Sequence, residues 1–457
     1  MTVILRKASL PALVALSILG TTPSQGETLM DAFVAAYSSN PVLEAERANL
    51  RATDENVAQA NAGWRPTVQA SGSIGRNESD NFFEGPGAPK SIAKPKRGAV
   101  SLTQPVFSSF RTLNQRREAK AQVMVGRSRL ASVEQRVLLE VVGAYMDVLR
   151  DGAVLNLRRN NVQVLTRQLE AAADRFEVGE ITRTDVSQSE ARLSQAVSRR
   201  IASEASLSGS RAAYRRLVGD APGSLEQPGV LPTLPETEEE AVEIALAENP
   251  DLAGAQFTEK AAKHSVGKAK GAFGPTIDFV AEHTQSRNTF VPDEINRTSN
   301  TLTLQASLPL YQGGAASSRV RQAKYQAAAR RIEVAQVERE VLEEVRNAWE
   351  DMRATRAIIA ASKAAVDANT IALEGVRQEA EVGSRTVLDV LDAEQELLDT
   401  QVELVRAERN SFVAGFRLLA SMGRVNPDYL QLPGGQYDPE VAYRKAKNSW
   451  FGWGTVD

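Results

Sequence analysis

The sequence predicts a mainly helical protein that carries a membrane-spanning β-barrel and is built from a two-fold internal repeat. Three observations lead there. Only 5% of the 457 residues are aromatic while 24% are charged and 42% hydrophobic, a vocabulary of long helices rather than of a compact α/β enzyme. Signature residues recur at a nearly constant offset through the chain. Within each copy the hydrophobic period changes from two to seven.

The first element is an export signal over 1–26. Arg6 and Lys7 precede the apolar run Ala8 to Gly20, and small residues follow at Ser24 and Gly26. A basic region, a short apolar core and small residues before a cut describe a secretory signal, and the core is too short to span a bilayer. Cleavage after Gly26 removes two bases and no acid, taking the net charge from −3 to −5. No later stretch is apolar for the ~18 residues a transmembrane helix requires. The near-balance of 57 acids against 54 bases excludes a basic nucleic-acid binder. The absence of cysteine excludes thiol catalysis, Cys-zinc sites and disulfides, and only His264 and His283 are present. No nucleophile–base set and no phosphate-binding Gly-rich loop with a following Lys-Ser or Lys-Thr is found, Gly313-Gly314 and Gly85-Pro86-Gly87 included. The expectation is no enzyme, no cofactor and no metal.

The repeats follow. Asn40-Pro41 and Asn249-Pro250 are 209 apart, as are Pro66 and Pro275. From Gln104-Pro105-Val106-Phe107 and Leu308-Pro309-Leu310-Tyr311 onward the offset is 204, and it holds for Val178-Gly179 with Val382-Gly383 and for Asp185 with Asp389. The units are placed at 27–220 and 237–424, joined by a Pro- and Gly-rich linker at 221–236 and followed by a tail at 425–457. The tail ends in Trp450-Phe451-Gly452-Trp453; the sequence leaves open whether it packs at the equator of the molecule or stays disordered.

Each repeat contains a β-hairpin, at about 67–107 and 276–310. Val68, Ala70, Gly72 and Ile74 alternate with polar residues, as do Leu302, Leu304, Ala306 and Leu308. Four strands of about ten residues result, apolar on one face, joined within each pair by loops at Ser79 to Arg97 and Ser286 to Asn300. After each hairpin the period is helical. Val141, Val148, Leu155, Val162, Leu169 and Phe176 are seven apart, and Val345, Met352, Ile359, Val366, Leu373 and Ala380 repeat them. No proline interrupts Gly314 to Gly383, which gives about 100 Å of helix at 1.5 Å per residue. A helix of that length packs lengthwise as coiled coil.

Ten-residue amphipathic strands match single passes of an outer-membrane barrel, whose edges cannot face lipid and whose smallest members have about eight strands. One chain supplies four, so the barrel is shared: two chains give eight strands and three give twelve. A soluble coiled-coil protein accounts for the heptads but leaves the strands unexplained.

The two-fold repeat, the paired Asn-Pro, the strand exits and the segment Val382-Gly383-Ser384-Arg385-Thr386-Val387-Leu388-Asp389-Val390-Leu391-Asp392 resemble outer-membrane efflux proteins of the TolC family over nearly the whole mature chain. The resemblance implies a homotrimer in the cell outer membrane, surrounded by lipid, whose twelve-stranded β-barrel continues into a twelve-helix periplasmic α-barrel. It implies an exit duct for multidrug efflux or type I secretion, working with a periplasmic membrane-fusion adaptor and an inner-membrane transporter of the RND or ABC type, and not with nucleic acid. The alternative is a periplasmic coiled-coil adaptor or structural protein of an envelope complex.

The resemblance also implies roles at the helical tips. Gly179 and Gly383 reverse one helix into the next, where glycine supplies left-handed backbone; with Val178 and Val382 they would receive the adaptor. Asp389 and Asp392, three apart on one helix face, would line the periplasmic constriction as six carboxylates in a trimer. Such a ring concentrates cations. Arg385 would tie neighbouring helices shut through Asp185 and Thr184. Ala380 stands where the family has a tyrosine of the closing network.

Overall fold

A computed structural model describes residues 26–79, 91–229, 231–288, 296–434 and 436–455. Residues 1–25, where the export signal is expected, and Gly85-Pro86-Gly87 lie outside the described residues, as do parts of both strand-to-strand loops.

Helix α1 (Leu29–Ser39) begins at Thr28, whose hydroxyl accepts from the Asp31 amide while the Asp31 carboxylate accepts from the Thr28 amide, the reciprocal arrangement that satisfies two orphan donors. Asn40 then starts α2 (Pro41–Ala62). Its side-chain oxygen accepts from the Val42 amide at 2.9 Å, and its Nδ2 donates to the Leu217 carbonyl at 2.9 Å. In the second repeat Asn249 caps α6 (Pro250–Lys270), which follows α5 (Glu238–Glu248), and donates to the Ser421 carbonyl at 3.0 Å. Each buried asparagine thus opens one helix and closes the last turn of another, and each proline sits where a missing N–H costs nothing. This is why Asn-Pro occurs once per repeat.

Strands β1 (Thr67–Ile74) and β4 (Lys96–Phe107) come from the first hairpin, β5 (Thr276–Arg287) and β6 (Arg297–Ser307) from the second. They form one antiparallel sheet in the order β1-β4-β5-β6. Two short strands, β2 (Asn77–Ser79) and β3 (Ser91–Ala93), pair beyond β1 and β4, so the first hairpin reaches further than the loop expected from Ser79. The register aligns Val68, Leu102, Ala281 and Leu302 across the sheet, with Phe279 beside Leu304. Successive residues point to opposite faces, so the adjoining row, Gln69, Ser101, Glu282 and Thr301, lies on the other side, where Arg97 meets Glu282 at 3.4 Å. One face is apolar and exposed in the single chain. The outer edges of β1 and β6 pair with no other described strand.

Each sheet exit leads into a helix of 67 residues, α3 (Arg111–Glu177) and α7 (Ala315–Glu381). The returning helices are α4 (Arg183–Val218) and α8 (Val387–Ser421). The main core lies midway along the long helices, where α1, α5 and the ends of α4 and α8 pack on Val141, Tyr145, Val345 and Met352. Tyr145 donates to the carbonyls of Glu27 and Glu226, fastening the start of the first repeat to the linker. Towards the tip the heptad seam empties: Val141 and Leu155 are buried, but Phe176 is 43% exposed. One chain does not fill its own coiled coil.

The tail is placed by α9 (Pro439–Asn448), which lies along α2 and reaches α3 through side chains. Tyr443 packs on Val57, Ala60, Ala119 and Val123, Arg127 pairs with Glu440 at 2.7 Å, and Arg47 stands over the rings of Tyr37 and Tyr437. It starts at the equator and leaves it. Beneath it Asp54 is buried with neither carboxylate oxygen hydrogen-bonded. Burial pushes its carboxyl up to about 6, helped by Glu440 and Glu55 and opposed by Arg127. An acid whose folded pKa is raised favours the fold below its unfolded value and loses that contribution as pH rises through the folded one. Asp54→Asn should therefore stabilise the protein at pH 7.5 by about 1–3 kcal/mol per chain, with no gain at pH 3.8; an equal gain at both pH values in thermal melts would contradict this.

Candidate functional site: the helical tip

Both hairpins reverse by the same device. At the end of α3, Gly179 has φ +79°, its amide donates to the Phe176 carbonyl at 3.0 Å, and the Glu180 amide donates to Arg175 at 2.9 Å. At the end of α7, Gly383 has φ +81°, its amide donates to Ala380 at 3.1 Å, and the Ser384 amide donates to Glu379 at 2.9 Å. This pairing closes a helix around a left-handed glycine. A Cβ at either glycine would meet open space, so the demand for glycine is one of backbone conformation alone. Val178 and Val382, at 72% and 80% exposure, cap the two turns. The structure therefore brings Val178-Gly179 and Val382-Gly383 to matching positions on matching turns.

The cap of the next helix lies three residues on. Thr182 caps α4 and Thr386 caps α8, and in each the aspartate three residues later answers the threonine. Asp389 Oδ2 accepts from the Thr386 amide at 2.9 Å and hydroxyl at 2.8 Å, and Asp185 does the same with Thr182. The Thr386 amide and hydroxyl hold the Asp389 carboxyl below the usual carboxylate range, and the Thr182 hydroxyl and amide do so for Asp185. Both aspartates thus serve as helix caps, whatever else they do.

The tie expected of Arg385 differs. Its Nε pairs with Glu379 at 2.8 Å, inside its own turn, and that partner raises its pKa. The described chain does not join it to Asp185, which is engaged by Thr182, or to Thr184, which is exposed. A carboxylate six residues away on the same turn is simply nearer than one on the other hairpin. Asp392 is not free either: Arg192 of α4 pairs with it at 2.5 Å.

A buried polar junction lies one turn further up, which the sequence reading missed. Glu394 Oε1 accepts from Gln168 Nε2 of α3 at 2.5 Å and from Arg377 Nη2 of α7 at 2.8 Å, while its Oε2 has no partner. One carboxylate thus joins three helices of both hairpins, beside Leu165, Ala196 and Leu391. A glutamate inside the α8 seam, between Leu391 and Leu398, is the signal that could have found it. Ala380, on the same stretch, offers only its carbonyl to the turn.

Among the described residues no group of three or more His, Asp or Glu could hold a metal ion, and no helix is long and apolar enough to cross a membrane. A family model described as outer membrane efflux protein matches residues 33–220 and 241–424. The chain is 35% identical over 431 residues to the outer membrane efflux protein BepC of Brucella suis, covering 94% of this chain and 93% of that one. It is 25% identical to the outer membrane protein TolC of Escherichia coli, covering 92% and 87%. Its fold matches the crystal structure of the Campylobacter jejuni CmeC outer membrane channel with a TM-score of 0.77 at 14% identity, over 92% of this chain and 89% of that one.

Proposed function

Because the chain belongs to the outer membrane efflux protein family, we propose that it is the outer-membrane exit duct of a tripartite export system, a passive channel rather than an enzyme. The observation that carries this is the open four-stranded sheet, apolar on one face, continuous with two helices of 67 residues. A four-stranded open sheet cannot stand in lipid with bare edges. Three copies close a twelve-stranded barrel, and their helices continue it as a tunnel through the periplasm. Half-filled heptad seams towards the tip fit that assembly, since neighbouring chains supply the missing faces. An inner-membrane transporter, with a periplasmic adaptor, delivers cargo to the tip. Deleting the gene should raise sensitivity to several unrelated drugs, reduce protein secretion, or both; a strain unchanged in both would refute the duct.

The tips supply the contacts this function requires. Two exposed valines on identical glycine turns per chain give six equivalent docking points in a trimer, and we assign the adaptor to them. A β-branched residue at Gly179 or Gly383 would have to adopt left-handed backbone. The double variant Gly179→Val, Gly383→Val should lose drug resistance while still reaching the outer membrane, and full resistance in that strain would remove the assignment.

Asp389 and Asp392 lie on one face of α8 and form the proposed cation-selective constriction, but the pairing with Arg192 changes the expectation. Arg192 offsets part of the negative charge of Asp392, so Arg192→Ala should raise cation preference, whereas Asp389→Asn with Asp392→Asn should lower it and weaken block by multivalent cations. Reversal potentials across a salt gradient in planar bilayers separate the two. Wild-type selectivity in the double Asn variant would show that this helix face does not line the ion path. Arg385→Ser should have a small effect on closure, since its partner lies within its own turn.

A further inference from the structure

We propose that the C-terminal tail is a second membrane contact, in which Trp450, Phe451 and Trp453 rest in the lipid headgroup layer at the periplasmic rim of the barrel. The proposal rests on the barrel lying in the outer membrane. Helix α9 runs parallel to α2, and the contacts advance in step: Arg47 with Tyr437, Val57 and Ala60 with Tyr443, then Arg65 with Ser449 and Trp450. Helix α2 ends at Ala62 and β1 begins at Thr67. The tail is therefore delivered to the level at which helix becomes strand. There Arg65 Nη1 donates to the Ser449 carbonyl at 2.8 Å, and its guanidinium lies 4.4 Å from the centre of the Trp450 ring.

Beyond that clamp the rings are bare. Trp450 keeps 60% of its surface, Phe451 91%, and Trp453 is fully exposed. Large aromatic rings crowded on a water-facing surface mark an interaction site. Two observations commit this one to lipid. First, the same level of the molecule already carries Trp64, Phe107, Phe110 and Tyr311 as exposed aromatics at the roots of the strands, so the tail extends a rim of rings continuous with the apolar face of the sheet. Trp, Tyr and Phe settle at membrane interfaces, where a flat apolar ring and a polar edge are both satisfied. Second, Arg444, Lys445 and Lys447 immediately precede the rings, and basic residues beside aromatic ones suit a surface with anionic headgroups. The strap from equator to membrane is held by Tyr443 in its apolar notch and by the Arg127–Glu440 pair, which fixes the height at which the rings emerge.

The test uses the full-length trimer reconstituted in phosphatidylethanolamine and phosphatidylglycerol vesicles. The chain has four tryptophans, so Trp64→Phe with Trp349→Phe leaves Trp450 and Trp453 as the emitters. Lipids brominated close to the headgroup should quench them strongly, and more than lipids brominated at the end of the acyl chain. A reference protein has all four tryptophans replaced by Phe and carries Leu304→Trp on the apolar face of β6; brominated lipid should quench it as well. Heat-modifiable trimer on gels verifies assembly of both. If the reference is quenched while the tail tryptophans are quenched only by aqueous acrylamide, the tail stands in water and the proposal is wrong. Tail tryptophans shielded from both quenchers would place them against protein and also overturn it. A reference that lipid does not quench refutes the barrel assignment itself, and the tail contact with it.

Discussion

Leu304→Arg should abolish assembly of the outer-membrane trimer, whereas Gln305→Arg, one residue along the same strand, should leave it intact. The register places Leu304 beside Phe279 on the apolar face and Gln305 beside Asp278 on the polar one. A charge on the lipid side of a barrel costs about 2–4 kcal/mol near the midplane and less towards the interfaces, and the three-fold repetition multiplies it. The guanidinium of Gln305→Arg faces the lumen, where it meets water and Asp278. Heat-modifiable trimer in outer-membrane fractions reads the difference. Equal assembly of both variants would show that the faces are reversed or that neither meets lipid.

The second large effect concerns the junction at Glu394. Arg377→Ala leaves a buried carboxylate with Gln168 as its only partner. Removing one partner of a buried ion pair costs up to about 3–5 kcal/mol, and replacing both by apolar groups is far milder. Because Arg377 is half exposed, about 1–3 kcal/mol is expected here. The loss falls where α3, α7 and α8 meet, so the hairpins should part more readily: Arg377→Ala should lower the melting temperature and raise single-channel conductance in planar bilayers. Adding Glu394→Leu should restore the melting temperature but not the low conductance, because the stray charge is gone while the link between hairpins remains absent. Unchanged conductance in both variants would show that Glu394 holds the fold without holding the tip.

The contrast between these two sites shows what the sequence could and could not reveal. Strand faces depend on alternation, which is local, so Leu304 and Gln305 were legible from their neighbours. The repeat, the helix lengths and the glycine turns were legible for the same reason: each follows from residues within a few positions, read twice. The capping role of Asp389 was also local, since Thr386 stands three residues before it. The partners of Asp392 and Glu394 were not legible. Arg192 and Gln168 are about 200 residues away from the groups they bind, and only the packing of one hairpin on the other brings them near. Glu394 left a trace, a charge in an apolar seam, without showing its purpose. The tail was illegible because its course depends on a groove formed by α2 and α3, which the tail sequence does not contain.

In the proposed duct one chain contributes a third of a closed barrel, the outer edge of β6 meeting β1 of a neighbouring chain. The chain has no cysteine, so single cysteines placed at Ser71 on β1 and scanned from Thr301 to Thr303 on β6 report on that seam without background. A disulfide forms only when the Cα atoms lie within about 7 Å. Oxidation of protein in isolated outer membranes should give, for at least one pair in the scan, a reducible ladder on denaturing gels that ends at three chains. A scan that yields only monomer, from protein that has reached the outer membrane, would contradict closure between chains and with it the duct.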